Sequence, residues 1–161
     1  MAEPDFDPKE AGPDGKTGQQ KSPRHAAMDL LARREYSQRE LMERLHRKYP
    51  DLAAEELGTV VETLADQGLQ SDQRFAESYV RLRVSRGQGP AKIAWELQQR
   101  GISDDAAGSL LAQWDWQQQA AQVLERKFGH TSPNDLPEKA RMSRFLQQRG
   151  FHWQHLEDAL D

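Results

Sequence analysis

Apolar residues recur at intervals of three and four along most of this chain, which is the spacing of one helix face. The spacing is clear from Leu57 to Leu64 and again from Phe75 to Leu82. No segment alternates between apolar and polar residues over the length of a strand. The pattern therefore predicts an all-α chain of about nine helices with no sheet.

Serine residues mark where several of these helices should begin. Ser22 precedes Pro23, which suits the first position of a helix. The sequence SQRE, which begins at Ser37, is a capping box. Ser71 and Ser103 each precede an aspartate and can cap the helices that follow them.

The chain repeats itself. ELQQRGI at residues 96–102 recurs as FLQQRGF at residues 145–151, and the apolar residues around both stay in register over this offset of 49. The first third of the chain joins the alignment, with Leu41 and Leu45 matching Ile93 and Leu97. A period of this size predicts three tandem three-helix repeats, stacked into an elongated, curved surface of the kind that binds macromolecules.

Composition adds an N-terminal segment to this organisation. The first residues are rich in proline and glycine and hold almost nothing apolar beyond Phe6, so they cannot offset the entropy of ordering. The predicted domains are a disordered acidic tail at 1–22 and helical repeats at 23–72, 73–118 and 119–161.

The composition also bounds the chemistry. The chain has 161 residues and no cysteine, which excludes disulfides and thiolate metal sites. Its start lacks the apolar core of a signal peptide, and no apolar run reaches the length of a membrane span. We expect a cytoplasmic protein that does not enter a membrane.

Positive charge is concentrated in the second repeat, although the formal net charge of the chain is −4. Residues 74–102 contain six basic and two acidic side chains, whereas residues 119–161 contain six of each. On the helix of Phe75, the apolar stripe leaves Arg81 and Arg86 off the core and Arg83 nearer its side. Such a patch suits phosphates or carboxylates, or it is an ordinary solvated helix face.

RGQGP, at residues 86–90, resembles a phosphate-binding loop but lacks the preceding strand and the Gly-Lys-Ser/Thr ending. A DNA-binding helix-hairpin-helix is disfavoured because Gln88 stands where such hairpins usually place an apolar residue. The simpler interpretation is a turn in which Gly87 ends one helix and Pro90 starts the next.

Other candidate sites are weaker. His152 and His155 are three residues apart, but no third ligand is suggested, so we expect no metal. No nucleophile, base and orienting group can be identified, so we expect no cofactor and no enzyme activity. The chain has four tryptophans: Trp95, Trp114, Trp116 and Trp153. Tryptophans beside helix boundaries more often fill the junctions between modules than stack on bases.

Three segments together resemble the RecX family, small regulators of the bacterial recombinase RecA. They are LLARREYSQRELMERL (30–45), SDQRFAESYVRLRVSRGQGPAKIAWELQQRGI (71–102), and RKFG with KARMSRFLQQRGF (126–129 and 139–151). The likeness covers about residues 24–161, and its middle segment is the most specific. Family members often have Leu-Asp where this chain has Gln70 and Ser71.

The resemblance implies a monomeric, non-enzymatic protein that binds in the groove of the RecA filament on single-stranded DNA. There it would inhibit ATP hydrolysis, strand exchange and the stimulation of LexA self-cleavage, and so regulate recombination, DNA repair and the SOS response. Some affinity for DNA is also implied. Two alternatives are a helical DNA-binding protein that acts independently of RecA and a helical-repeat adaptor for another protein.

The resemblance, together with the local positive charge, also singles out residues. Five cations would face an anionic partner, either acidic RecA side chains or nearby phosphates: Arg81, Arg83, Arg86, Lys92 and Arg100. The remaining motif positions would be structural: Asp72, Arg74, Phe75, Gly87, Gly89, Pro90, Ile93, Leu97 and Gly101.

Overall fold

The structure, a computed structural model, describes residues 20–152 and 154–155. The helices in this part are α1 (Pro23–Leu31), α2 (Gln38–Lys48), α3 (Ala54–Asp66), α4 (Asp72–Ser85), α5 (Pro90–Gln99), α6 (Asp104–Leu111), α7 (Trp116–Phe128) and α8 (Leu136–Arg149). The described residues contain no strand, which confirms the all-α prediction. None of these helices is both long enough and apolar enough to cross a membrane.

The predicted ninth helix falls after residue 152, where most positions lie outside the described residues. Most of the predicted N-terminal tail also lies outside them. Its last residues lie against the first repeat, where Lys21 pairs with Asp29 at 2.9 Å and accepts a hydrogen bond from the Tyr49 hydroxyl through its carbonyl. The boundaries predicted for the repeats stay predictions.

The predicted helix starts are confirmed. The hydroxyl of Ser22 accepts the amide of His25, and Pro23 is the first residue of α1. Ser37 and Glu40 form both hydrogen bonds of the capping box. The side chains of Ser71 and Ser103 cap α4 and α6 in the same way.

Two separate hydrophobic cores hold the helices. The first lies within α1–α3 and includes Leu41, Leu45, Leu57 and Leu64, all fully buried. The second is continuous through α4–α8. The second and third repeats therefore share one apolar core, and the first repeat has its own.

The repeated sequence LQQRG produces the same helix ending twice. Gly101 (φ 85°) and Gly150 (φ 96°) both adopt the left-handed conformation that favours glycine. The amide of the next residue, Ile102 or Phe151, donates to a carbonyl five residues earlier, at 3.0 and 3.1 Å. The two copies of the repeated sequence thus end their helices with the same hydrogen bond.

The second helix of each repeat is stacked end to end on the next. The start of α5 rests on the end of α8, where the Gly89 amide donates to the Arg149 carbonyl at 2.7 Å. The end of α5 in turn lies beside the start of α2, where Arg39 donates to the Gln98 carbonyl at 3.3 Å. The macrodipoles of α8, α5 and α2 are therefore joined positive end to negative end.

Candidate partner-binding surface of the middle module

The RGQGP turn is buried in the joint between the second and third repeats. Gly87 (φ 81°) follows the end of α4, and Pro90 starts α5, as the turn interpretation predicts. Gln88 is fully buried. The amides of Gly89 and Ala91 donate to carbonyls at the end of α8 at 2.7 and 2.9 Å. Because these amides are already bonded to the protein, the turn does not cradle a phosphate.

Gly89 is required by the closeness of this joint. A Cβ atom at this position would lie 2.5 Å from the Gly150 carbonyl carbon and from the Phe151 amide nitrogen. A Cβ atom on Gly150 would similarly lie 2.4 Å from the Cβ of Lys92. The backbones of α5 and α8 meet only because both positions are glycine.

Arg83 is an interior residue. Its side chain is 6% exposed, and its Nε lies 3.3 Å from Oε2 of Glu96 on the facing helix α5. The same Glu96 oxygen accepts the hydroxyl of Tyr79, which is fully buried. Burial, followed by this hydrogen bond, raises the pKa of Tyr79 well above its usual value. The three side chains form a polar cluster inside the middle module, here defined as α4–α6.

Arg100 extends this cluster toward the first repeat. Its guanidinium lies 4.8 Å from the centre of the Tyr79 ring and donates to the Glu96 carbonyl at 3.1 Å. Its Nε is 3.9 Å from Oε2 of Glu40, a carboxylate that Arg34 also contacts at 3.2 Å. Arg100 thus bridges the middle module and the first repeat.

The prediction that Arg83 is presented to an anionic partner is therefore wrong about where this side chain lies. The stripe of Phe75 and Tyr79 places Arg83 beside the core, where Glu96 compensates for its charge. Arg100 is half-buried, with 22% of its side chain exposed. A role for these two residues in binding remains a prediction.

Arg81 is exposed on α4 and borders a groove between α4 and α6. The groove has a volume of about 310 Å³. It combines apolar and polar side chains: Glu77, Val80, Arg81, Leu110, Gln113 and Trp114. Arg81, one of the five predicted binding cations, therefore lies at a concave surface.

Arg86 and Lys92 occupy the joint between the repeats. Both are half-buried. The carbonyl of Arg86 accepts a hydrogen bond from Arg149 at 3.5 Å, and the stem of Lys92 lies against Gly150. The structure therefore places both residues at the joint with α8, and neither lines the Arg81 groove.

Asp72 and Arg74 hold the first and second repeats together. Oδ1 of Asp72 accepts the Gln38 amide and the side-chain amide of Gln70, both at 2.9 Å. Arg74 donates to a carboxylate oxygen of Glu35 at 3.0 Å. Gln70 is itself buried and donates to the Tyr36 carbonyl at 3.1 Å. Gln70, where the resemblance led us to expect an apolar residue, is therefore a hydrogen-bonded part of this junction.

The apolar motif residues Phe75, Ile93 and Leu97 are fully buried in the second core. The tryptophans do not behave alike. Trp116 is buried and donates to the Leu111 carbonyl at 2.8 Å, Trp114 is half-buried, and Trp95 is 62% exposed. Trp153 lies outside the described residues.

The rings of His152 and His155 are 5.6 Å apart. Among the described residues, no group of three or more His, Asp or Glu side chains is placed to hold a metal ion.

Sequence reasoning missed the role of Glu96. The sequence held a signal for it, since Glu96 lies four residues from both Lys92 and Arg100 in the most basic segment of the chain. A carboxylate between two cations indicates internal neutralisation of charge. Trp114 was named only among the tryptophans expected to fill module junctions, and its position at the groove could not be predicted because it depends on how α6 packs against α4.

Comparison with known proteins identifies the relatives of this chain. A family profile described as RecX, second three-helix domain, matches residues 71–111, and one described as RecX, third three-helix domain, matches residues 115–160. The regulatory protein RecX of Halorhodospira halophila is 48% identical over 130 residues, which are 80% of each chain. The regulatory protein RecX of Chromohalobacter salexigens is 43% identical over 145 residues, or 88% of this chain and 93% of the relative.

The fold agrees with these matches. The crystal structure of RecX from Lactobacillus salivarius has a TM-score of 0.70 at 21% identity, and the similarity covers 85% of this chain and 91% of that one. A second crystal structure, of a regulatory protein RecX, has a TM-score of 0.65. With two family domains in order and relatives above 40% identity along most of its length, this chain belongs to the RecX family.

Proposed function

We propose that this protein is a negative regulator of RecA that binds in the groove of the RecA filament on single-stranded DNA. Membership of the RecX family, whose relatives are named regulatory proteins, carries the proposal. Binding there would inhibit ATP hydrolysis, strand exchange and the filament's stimulation of LexA self-cleavage. The protein acts as a cytoplasmic monomer and by binding rather than by catalysis.

The groove beside Arg81 is the proposed point of contact with RecA. Val80, Leu110 and Trp114 form the apolar part of its lining, and the exposed residue Arg81 borders it. Stable protein interfaces are built around apolar anchors with charged residues at the rim. This arrangement suits an apolar side chain of RecA that has an acidic neighbour.

Weak direct affinity for DNA is a second part of the proposal. The family resemblance implies it, and the chain's overall negative charge would keep it weak, because nonspecific binding grows with the number of phosphates neutralised.

The test is RecA's single-stranded-DNA-dependent ATPase, titrated with wild-type protein and with Arg81→Glu. We expect wild type to inhibit at concentrations well below those that coat the same DNA without RecA. Reversal of the rim charge should raise the half-inhibitory concentration on the order of tenfold. Arg47→Glu is the control, because Arg47 is also exposed but lies on α2.

Arg83 is left unchanged in this test because substitution of a buried, paired arginine tests folding rather than binding. Equal inhibition by wild type and Arg81→Glu would overturn the groove assignment. Inhibition only where bare DNA is already saturated would favour a DNA-binding protein that acts independently of RecA. No inhibition and no DNA binding would favour an adaptor for another protein.

A further inference from the structure

The third repeat carries an exposed basic face that the overall charge count conceals. Its described part, residues 119–152, contains six basic side chains and three acidic ones, since three of the six acids of residues 119–161 come after position 156. The basic face consists of Lys127 on α7 and Arg141, Arg144 and Arg149 on α8, arranged around Phe145. Lys127, Arg141 and Arg144 are exposed.

The helix geometry places these cations side by side. Arg141, Phe145 and Arg149 are spaced by four residues, so they follow one side of α8 with a rise of about 6 Å per step. Lys127 approaches from α7, its Nζ 5.8 Å from the centre of the Phe145 ring. The Arg149 guanidinium lies 5.2 Å from the same centre.

Phe145 organises the face by holding two cations. Cations are attracted to the face of an aromatic ring within about 6 Å of its centre. The Phe145 ring itself is packed against Phe128, with the ring centres 5.7 Å apart and the planes nearly perpendicular. Cations therefore cover the aromatic ring, which does not form an open apolar pocket.

The exposed cations of this face form no ion pair with any residue in the described ranges 20–152 and 154–155. Within the described residues, no carboxylate lies within 4 Å of the charged groups of Lys127, Arg141 or Arg144. The nearby Glu138 is engaged by His130 at 3.0 Å and by the Asn134 amide at 2.7 Å.

We propose that this α7–α8 basic face binds the phosphate backbone of a nucleic acid. A protein partner would need an apolar anchor of the kind that the Arg81 groove supplies, whereas the ring at the centre of this face, Phe145, is flanked by two cations. A polyanion needs only a row of cations, because the release of its condensed counterions drives binding. Arginine forks also match the geometry of phosphate oxygens.

The proposal rests on the weak DNA affinity in the proposed function and gives it a site. It also separates the two partners: the middle module contacts protein, and the third repeat contacts DNA. RecA plays no part in the test below, so failure here leaves the regulation of RecA untouched.

The experiment measures binding of the full chain to a fluorescein-labelled oligothymidylate by anisotropy over a series of salt concentrations. The variant is Lys127→Gln/Arg141→Gln. The control is Arg33→Gln/Arg47→Gln, which removes two exposed cations from the first repeat. Far-UV circular dichroism checks that both variants are folded.

We expect the double variant to bind on the order of tenfold more weakly at 0.1 M salt, and the slope of log K against log salt to fall by about 1.4, the loss of two phosphate contacts. The control should keep the wild-type affinity and slope. Equal binding by variant and wild type would overturn the site, and no binding by wild type would overturn the DNA affinity as well. Competition by polyglutamate as strong as by unlabelled oligonucleotide would show that the face takes an acidic protein instead.

Discussion

A charge count cannot distinguish a cation that faces solvent from one that stabilises the interior. Arg81 and Arg83 are two residues apart on α4, and both contribute to the basic segment. One is exposed, and the other is buried against Glu96 and Tyr79. The difference comes from α5, which crosses α4 at the position of Arg83 and supplies the carboxylate. At this scale Arg83 belongs to a buried polar cluster of the middle module, and Arg81 stays exposed to solvent.

We predict that Arg83→Met destabilises the protein by about 3 kcal/mol, because it leaves the carboxylate of Glu96 buried without its cation. Urea denaturation followed by circular dichroism measures the change in the free energy of unfolding. Arg81→Met is the matched control on the same helix and should change it by less than about 0.5 kcal/mol. Removal of the Glu96 charge as well, in Arg83→Met/Glu96→Gln, should restore part of the lost free energy of unfolding. Equal stability of the two single variants would contradict a structural role for Arg83.

At the scale of elements, local sequence predicted most of what is local. The serine caps, the proline start of α5 and the glycine that follows α4 depend only on neighbouring residues, and all are present. The periodic apolar positions likewise define the buried faces. What could not be predicted is how helices meet: Gly89 signals a turn in the sequence, but its contact with Gly150 depends on a helix sixty residues away. The Arg81 groove could not be predicted for the same reason, because it forms where α6 packs against α4.

We predict that Gly89→Ala destabilises the joint between the second and third repeats. Its methyl group would overlap backbone atoms of Gly150 and Phe151, which cannot move without displacing α8. Such overpacking costs about 1–3 kcal/mol. Thermal unfolding measures the resulting change in melting temperature. Gly108→Ala is the matched control, since nothing lies within 4 Å of a Cβ there, and alanine should raise stability slightly within α6. A higher melting temperature for both variants would show that the joint can accommodate a methyl group at Gly89.

At the scale of the whole molecule, the two junctions between repeats differ in kind. The second lies within a continuous apolar core, whereas the first joins two cores through polar groups. Asp72, Gln70, Arg74 and Arg100 make most of these polar contacts. Polar interfaces of this type permit relative motion of the units they join more readily than large apolar ones. The first repeat is therefore the part of the molecule that can move most readily relative to the other two repeats.

We predict that Asp72→Ala loosens the first junction while both cores stay folded, because it removes the acceptor shared by the Gln38 and Gln70 amides. Because the chain has no cysteine of its own, spin labels attach only at the pairs of cysteines introduced for them. Labels at Glu62 and Ser109 span the first junction, and labels at Ser109 and Lys139 span the second; all three positions are exposed. The first distance distribution should broaden and the second should not. Broadening of both, or of neither, would contradict a polar hinge at Asp72.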